Sequence, residues 1–229
     1  MVGPSVSLNI ARIALNLEAH STILKTENKN NEGENWNMVI GVLGGSFCPP
    51  TIAHLELSKK CIELGLCDKV VWVPVNDAYK KSTNIEAKHR IEMVRLALKD
   101  EENVFYSLHE QGYDTMVYTY NSLMMLQEMY PDDRIVFIAG ADKLPFRWFQ
   151  REALVRDFGF ILTNRGDIDC EAEINKSAIL SKYRDNIKIF DYDSDVSSTM
   201  VRTEITKHGE TKLVSEAVMD YIAKNKLFI

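Results

Sequence analysis

Five residues that lie close together in the sequence have the types and spacing of an anion-binding site. Gly45, Ser46 and Phe47 lie in a glycine turn, and Thr51 and His54 follow within one short stretch. The turn and the helix predicted after it expose backbone N–H groups, which attract anions because no helical carbonyl bonds to them. Thr51 and His54 are three residues apart, so one helical turn directs both side chains to the same place. The alternative is an ordinary turn followed by a histidine that is satisfied within a helix.

A second stretch with similar chemistry lies near the end of the sequence. Hydroxyl side chains at the start of a predicted helix are followed, one turn later, by Arg202. Such a helix start binds anions, and the arginine fork adds charge-assisted hydrogen bonds. Serine and threonine are also common helix caps, so this stretch alone is a weak signal. Together, the two stretches indicate that one chain of linked phosphates spans two helix starts. The residues of the second stretch are Ser198, Thr199, Met200, Val201 and Arg202.

Basic and aromatic residues follow the second predicted strand. Tyr79 and Lys81 lie on one loop, which suits an anion with an aromatic neighbour. A solvated basic loop is the alternative. Arg90, in the next predicted helix, either reaches the same place or lies on the surface.

Other candidate residues follow later strands. Gly140 allows a ligand to approach the backbone closely, and Asp142 either accepts hydrogen bonds from a ribose or base or caps the next helix. Trp148 either stacks on a heteroaromatic ring or packs in the core. Thr119 lies near a helix start, where caps are common, and Arg165 directly follows a buried strand.

The elements that position these residues alternate between strands and helices from residue 38 onward. Apolar and β-branched runs predict strands at 38–43, 69–75, 104–108, 134–139, 158–163 and 187–190. Helices are predicted at 51–66, 83–99, 117–130, 199–207 and 213–224, the second of them starting in a capping box of Thr83 and Glu86. This order predicts an α/β fold, a Rossmann-like doubly wound parallel sheet with helices on both faces and short C-terminal helices. Ligands of such sheets bind beyond the carboxyl ends of the strands, where the candidate residues fall.

Composition limits the classes of function. The chain has 229 residues and a formal net charge of −6, so it has no general attraction for nucleic acid or acidic membranes. No apolar run approaches the ~20 residues of a membrane span. Four cysteines without metal-site spacing favour a reduced intracellular protein, cytoplasmic or nuclear. Residues 1–37 read as an extension and linker, and 38–229 as the main domain. The sequence leaves open whether the chain forms a homo-oligomer.

The first stretch, G-x-F-x-P-x-T-x-x-H at 45–54, resembles the signature of the nucleotidylyltransferase superfamily. The last four residues of that signature usually read His/Thr-x-Gly-His, and here alanine replaces the glycine. The second stretch, V-S-S-T-M-V-R at 196–202, is similar to the I-S-S-T-x-x-R signature of nicotinamide/nicotinate mononucleotide adenylyltransferases. The segments P-V-N-D-A-Y-K-K, Y-T-Y-N-S-L, G-A-D and T-N-R-G also match that family in order. The resemblance runs from about residue 38 to the C-terminus.

That resemblance implies transfer of the adenylyl group of ATP to a pyridine mononucleotide, with magnesium carried by the ATP phosphates. His54 is the implied catalytic residue. The implied ATP-binding residues are Gly45, Ser46, Phe47, Thr51, His54, Gly140, Asp142, Ser198, Thr199, Met200, Val201 and Arg202. The implied mononucleotide-binding residues are Ser46, Tyr79, Lys81, Thr119, Trp148 and Arg165.

Two departures from the eukaryotic relatives leave the acceptor open. His109 stands where those relatives often have tryptophan, and Ser194 where they often have asparagine. Nicotinamide and nicotinate mononucleotide therefore remain alternatives. A related nucleotidylyltransferase with another phosphorylated acceptor is a second hypothesis, and a nucleotide sensor without turnover is a third.

Overall fold

The computed structural model describes residues 36–79, 85–145, 148–164, 168–192 and 194–228. The predicted extension therefore lies outside the described residues except for its last two. The strands are β1 (Val39–Gly45), β2 (Lys69–Pro74), β3 (Val104–Tyr106), β4 (Arg134–Gly140), β5 (Phe160–Thr163) and β6 (Ile187–Phe190). They form one sheet in the order β3-β2-β1-β4-β5-β6, and every neighbouring pair is parallel. The predicted fold is confirmed.

Eight α-helices connect or follow these strands in the part of the chain that the structure describes. They are α1 (Ile52–Glu63), α2 (Ala87–Ala97), α3 (Thr119–Met129), α4 (Arg151–Asp157), α5 (Cys170–Asn175), α6 (Ala178–Lys182), α7 (Ser198–His208) and α8 (Glu216–Lys224). Among these helices, none combines the length and apolarity that crossing a membrane requires.

The sheet is buried on both faces, as a parallel sheet requires. Ile40 and Val42 of β1 belong to one apolar cluster, whereas Val39 and Leu43 belong to another. Alternate residues of a strand point to opposite faces, so the two clusters are the two sides of the sheet. A continuously apolar strand, rather than an alternating one, follows from this arrangement.

A third apolar cluster attaches the C-terminal helices to the rest of the molecule. Met93 of α2, Val201 and Ile205 of α7, and Val218 and Ile222 of α8 are all buried in it. The packing holds α7 beside α2, far from it in the sequence. The start of α7, with its hydroxyls and arginine, is positioned in this way.

The strand order reverses between β1 and β4. The chain runs outward from β1 through β2 to β3 and then returns to the other side of β1. Crevices at such a reversal, beyond the carboxyl ends of the strands, are where open α/β sheets bind ligands. Both strands end here in glycine, Gly45 and Gly140.

The structure corrects one predicted helix start and adds three short helices. The predicted helix start at residue 83 is wrong, because α2 starts at Ala87 with Glu86 at the cap position. Thr83, the other residue of the predicted capping box, lies outside the described residues. The short helices α4, α5 and α6 were not predicted. Their length of five to seven residues is too short to show a helical period.

Candidate active site

The loop between β1 and α1 is held in an unusual backbone conformation. Phe47 has a φ of 46°, in the left-handed region, which costs a bulky residue about 1–3 kcal/mol. Its ring is 1% exposed and stacks on Trp72 of β2, with centroids 4.8 Å apart and planes 7° apart. This stack offsets the backbone cost, so Phe47 fixes the shape of the loop from below and presents only its backbone to a ligand.

His54 and Thr51 interact as their spacing predicted. Thr51 precedes α1 as its N-cap; its backbone N–H donates to Nδ1 of His54 at 3.0 Å, and its hydroxyl lies 2.7 Å from the same atom. Because a backbone N–H can only donate, Nδ1 accepts, and the neutral ring carries its proton on Nε2. His54 is therefore prepared as a hydrogen-bond donor through Nε2.

An aromatic support that the sequence analysis missed lies beneath His54. The His54 ring meets the edge of Trp72 at 5.9 Å and the ring of Phe47 at 5.2 Å. The Trp72 indole donates to the Ser58 hydroxyl at 2.9 Å, and that hydroxyl donates to the His54 carbonyl at 2.8 Å. A tryptophan in an apolar strand gave no separate signal, since strand and core packing already explained it.

The second predicted stretch docks directly onto the first loop. The Ser198 hydroxyl donates to the Pro49 carbonyl at 2.8 Å. Arg202 donates from Nη1 to the Cys48 carbonyl at 2.8 Å and from Nη2 to the Thr199 hydroxyl at 3.0 Å. The starts of α1 and α7 are thus neighbours, although about 150 residues separate the bonded partners.

A shallow groove runs along α7 from this junction. Its volume is about 250 Å³, and it is lined by Thr199, Arg202, Thr203, Thr206 and Lys207. Met200 is exposed beside it, whereas the Val201 side chain is fully buried. Val201 can therefore contact a ligand only through its backbone. The cap of α7 is Ser197, whose hydroxyl accepts from the Met200 N–H at 3.2 Å.

The end of β4 carries the predicted ribose contacts. Gly140 occupies the cap position of a short 3-10 turn, Ala141–Lys143, so Asp142 does not cap it. Asp142 instead forms an ion pair with Lys143. Because Gly140 ends the strand beside β1, both residues lie at the same edge as His54. Their role toward a ribose stays a prediction.

Trp148 lies against the core in the described structure. Its half-buried ring packs on Phe160 at 5.2 Å and on the edge of Phe137 at 6.1 Å, and the Arg151 guanidinium lies 6.0 Å from its centroid. Nearby, Tyr118 and Phe149 form an exposed stack with centroids 4.8 Å apart. Pyridine stacking by Trp148 stays a prediction.

The remaining mononucleotide candidates are spread around the same edge. Tyr79 closes the turn after β2, where its N–H donates to the Asn76 carbonyl at 3.2 Å. Thr119 is the first residue of α3, and Tyr118 occupies the cap position, so Thr119 is not the cap. Lys81 and Arg165 lie outside the described residues.

A buried polar network lies between β3 and α3. His109 bonds through Nδ1 to the Ser107 hydroxyl at 2.9 Å and through Nε2 to the Ser122 hydroxyl at 2.8 Å. Burial lowers the pKa of His109 to about 4. Burial also raises the pKa of Glu110 to about 7, partly offset by a hydrogen bond with Ser122. His109 therefore serves to join β3 to α3 as a neutral ring.

In the described ranges, no group of three or more histidine, cysteine or acidic side chains could hold a metal ion. All four cysteines are buried thiols.

Comparisons with known proteins agree on one family. The cytidylyltransferase-like family model matches residues 42–204. The probable nicotinate-nucleotide adenylyltransferase of Carboxydothermus hydrogenoformans is 31% identical over 195 residues, which span 82% of this chain and 97% of that protein. The nicotinate-nucleotide adenylyltransferase of Bacillus subtilis is 26% identical over 195 residues, with the same two coverages.

A solved structure shows the same fold. The nicotinic acid mononucleotide adenylyltransferase of Plasmodium falciparum, complexed with NaAD, superimposes with a TM-score of 0.65 at 24% identity. The match covers 83% of this chain and 97% of that one. With its two signatures at adjoining helix starts and relatives matched over nearly their whole length, the chain belongs to the nicotinate-nucleotide adenylyltransferase family of cytidylyltransferase-like nucleotidyltransferases, as its motifs predicted.

Proposed function

We propose that the protein transfers the adenylyl group of ATP to a pyridine mononucleotide, giving a pyridine dinucleotide and pyrophosphate. The observation that carries this proposal is the docking of α7 on the loop before α1, through Arg202 and Ser198. Two helix starts with positive partial charge then face one place, which suits a linear chain of phosphates. The names of the curated relatives support the reaction class. The catalytic domain proposed here spans residues 38–229.

The reaction needs no covalent bond to the protein. A phosphate oxygen of the mononucleotide attacks the α-phosphorus of ATP, and the bond from that phosphorus to the bridging oxygen breaks. Pyrophosphate leaves with the electrons of that bond. Charge develops on the phosphate oxygens, so fixed hydrogen-bond donors and cations around them supply the catalysis, together with alignment of the two reactants.

The chain's own residues fit these tasks. His54 donates from Nε2 to an ATP phosphate, because Nδ1 is held by Thr51. Arg202 and the start of α7 hold the outer phosphates. Gly45, Ser46 and Phe47 supply the backbone and hydroxyl groups of the loop. Magnesium enters with the ATP phosphates, since this ion prefers phosphate oxygens and water to an all-protein cage.

Nicotinate mononucleotide is the first acceptor to test, because the curated relatives from Carboxydothermus hydrogenoformans and Bacillus subtilis are named for it. Nicotinamide mononucleotide is the second, since the loop P-V-N-D-A-Y-K-K resembles the eukaryotic enzymes. Tyr79 and Lys81 on that loop, with Thr119, Trp148 and Arg165, are the residues proposed to receive the mononucleotide.

The test is an assay of pyrophosphate release with ATP, magnesium and a panel of phosphorylated acceptors. We expect release with a pyridine mononucleotide and formation of the matching dinucleotide, identified by mass. Release only with a non-pyridine acceptor would support the related nucleotidylyltransferase instead. Binding of ATP without release for any acceptor would support the sensor hypothesis.

A further inference from the structure

Arg90 of α2 is a buried cation whose three donor groups reach three separate segments. Arg90 as a whole is only 3% exposed. Nη1 donates to the Ser46 carbonyl at 3.1 Å, and Nη2 donates to a carboxylate oxygen of Asp77 at 3.0 Å. Nε donates to the Ile85 carbonyl at 3.3 Å. The guanidinium thus joins the loop before α1, the loop after β2 and the segment that leads into α2.

Core packing alone does not explain an arginine at this position. Removing a guanidinium from water costs several kcal/mol, and an apolar side chain of similar volume often gives equal or greater stability. Asp77, the acidic partner, has a side chain that is 62% exposed, so the ion pair is only half buried. The hydrogen bonds to the two loops are therefore the distinctive contribution of Arg90.

The bond to Ser46 determines the direction of a donor in the phosphate loop. The peptide between Ser46 and Phe47 is trans, and in a trans peptide the C=O and N–H groups point in opposite directions. Arg90 holds the Ser46 C=O toward itself, so the Phe47 N–H points away from Arg90. The left-handed φ of Phe47 sets the backbone that follows.

We infer that Arg90 is a positioning residue that sets the phosphate loop and couples it to the loop after β2 that carries Tyr79. This inference rests on the proposed function. Arg90 acts through Ser46 and Asp77 and does not itself touch substrate. Its loss leaves the binding groups present but misaligned, and a misplacement of about 1 Å can cost roughly 100-fold in rate.

The experiment compares Arg90→Lys and Arg90→Met with Arg95→Met in the full-length protein. Arg95 lies on the same helix and pairs with Glu92 on the surface, so its loss controls for removing a cation from α2. Thermal unfolding gives the folded fraction of each variant. We expect kcat per folded molecule to fall roughly 100-fold for both Arg90 variants. Values within about twofold of the Arg95→Met control would overturn the inference.

A second variant keeps the test decisive if the Arg90 variants do not fold. Asp77→Asn removes the charge of a partner whose side chain is 62% exposed, so we expect it to cost the fold less than an Arg90 substitution does. We expect kcat/KM for the mononucleotide to fall by several-fold and at most about 10-fold, because the amide oxygen of asparagine can still accept from Arg90 and only the charge assistance is lost. Where Arg90→Lys folds, the Asp77 effect disappears in the double variant, because the two residues act as one unit. An unchanged kcat/KM in Asp77→Asn, or strict additivity, would refute the coupling.

Wild-type turnover separates this inference from the proposed function. If the wild-type protein releases no pyrophosphate with any acceptor, the proposed function is contradicted. The positioning role of Arg90 is then tested by ATP binding instead of turnover. In that case the same variants are compared by calorimetric affinity for ATP. A loss of affinity in Arg90→Lys but not in Arg95→Met supports the inference, and equal affinities refute it.

Discussion

His54 uses its two ring nitrogens for different tasks. Nδ1 accepts the Thr51 N–H and so satisfies one of the orphan donors at the start of α1. The same bond fixes the proton of the neutral ring on Nε2, and the ring makes an edge contact with Trp72. Nδ1 therefore has a structural role at the start of α1, and the proposed function gives Nε2 the role of a donor to an ATP phosphate.

We predict that His54→Ala lowers kcat by roughly 10²–10³-fold, the cost of losing one fixed donor to a developing charge. His54→Gln separates the two tasks. Glutamine three residues after a threonine cap can restore the capping box, so α1 keeps its start while the imidazole is lost. Steady-state kinetics on both variants, with unfolding curves, provide the measurement. His208→Ala, at the exposed end of α7, is the control.

Near-normal kcat in folded His54→Gln would show that the donor role is wrong. Recovery of stability without recovery of kcat is the result that supports it.

Arg202 is the charged group of the second helix start. We predict that Arg202→Ala raises the KM for ATP by about 10-fold or more, because a charge-assisted hydrogen bond contributes about 1.5–3 kcal/mol. Arg202→Lys should recover only part of this loss, since the ammonium cannot bond both the Cys48 carbonyl and the Thr199 hydroxyl in the fork geometry. ATP titrations of initial rate check both variants. Unchanged kinetics in Arg202→Ala, with Lys224→Ala as surface control, would contradict the assignment.

At the residue scale, the sequence predicted the polar residues of the candidate site better than the residues that pack against them and hold them in place. Gly45, Thr51 and His54 form a spaced pattern, and such a pattern needs no knowledge of distant contacts. Trp72 has no pattern, because its value lies in what packs on it from another element. Arg90 was predicted equally well as a site residue or a surface residue, and only its long-range bonds decide between them.

Several of the candidate site residues lie at the ends of elements rather than in their interiors. The start of α1, the start of α7 and the end of β4 all lie at the edge where strand order reverses. Their positions depend on packing farther back, such as the Val201 and Ile205 contacts that hold α7. A change in that packing is expected to move the phosphate site without touching it.

The turn between α4 and β5 gives a prediction at this scale. Gly159 has a φ of 71°, and a Cβ there would lie 2.4 Å from the Asn186 carbonyl oxygen. We predict that Gly159→Ala destabilises the fold by about 3 kcal/mol or more, which lowers Tm by roughly 10 °C in a chain of this size. Differential scanning calorimetry measures the shift.

Gly209→Ala is the matched control for this prediction. Gly209 ends α7 with a φ of 78°, but a Cβ added there would meet none of the described residues within 4 Å. Only the backbone cost of about 1 kcal/mol remains. Equal Tm shifts in the two variants would show that the backbone at Asn186 moves away from the new Cβ without loss of stability, and would contradict the prediction.

The long elements were predictable because their apolar runs exceed the length at which strands and helices can be told apart. β2, β4 and α3 differ from the predicted spans by a few residues at most. The short helices α5 and α6 are defined instead by their caps, Asp169 and Ser177, and by packing. Single caps are too common in loops to predict a helix of one or two turns.

At the scale of the whole molecule, the strand order brings the distant signatures together. Parallel pairing of β1 with β4 places the ends of both strands at one edge, and the third apolar cluster returns α7 to that edge. The sequence predicted an open α/β sheet but not this order, because pairing depends on contacts between elements rather than on any one of them. The meeting of His54 and Arg202 is a property of the complete fold.

The free energy of unfolding should depend on pH through the buried network between β3 and α3. The pKa of His109 falls from 6.5 to about 4 on folding, so the unfolded chain binds its proton first. Its contribution to stability is complete above pH 6.5 and is lost as pH falls toward 4. The pKa of Glu110 rises from 4.5 to about 7, so its contribution is complete below pH 4.5 and is lost as pH rises toward 7. Between pH 4.5 and 6.5 the two effects oppose each other.

Replacing either residue should therefore leave only the pH dependence of stability that the other one causes. We predict that His109→Gln gains stability relative to wild type as pH falls from 6.5 to about 4, by up to about 3 kcal/mol. Glu110→Gln should show the opposite slope and gain a similar amount as pH rises from 4.5 to about 7. Urea unfolding across this range measures both, with His208→Gln as the control for losing an exposed histidine. Parallel slopes in the two variants would mean that burial does not perturb the pair, and that β3 and α3 are joined by packing alone.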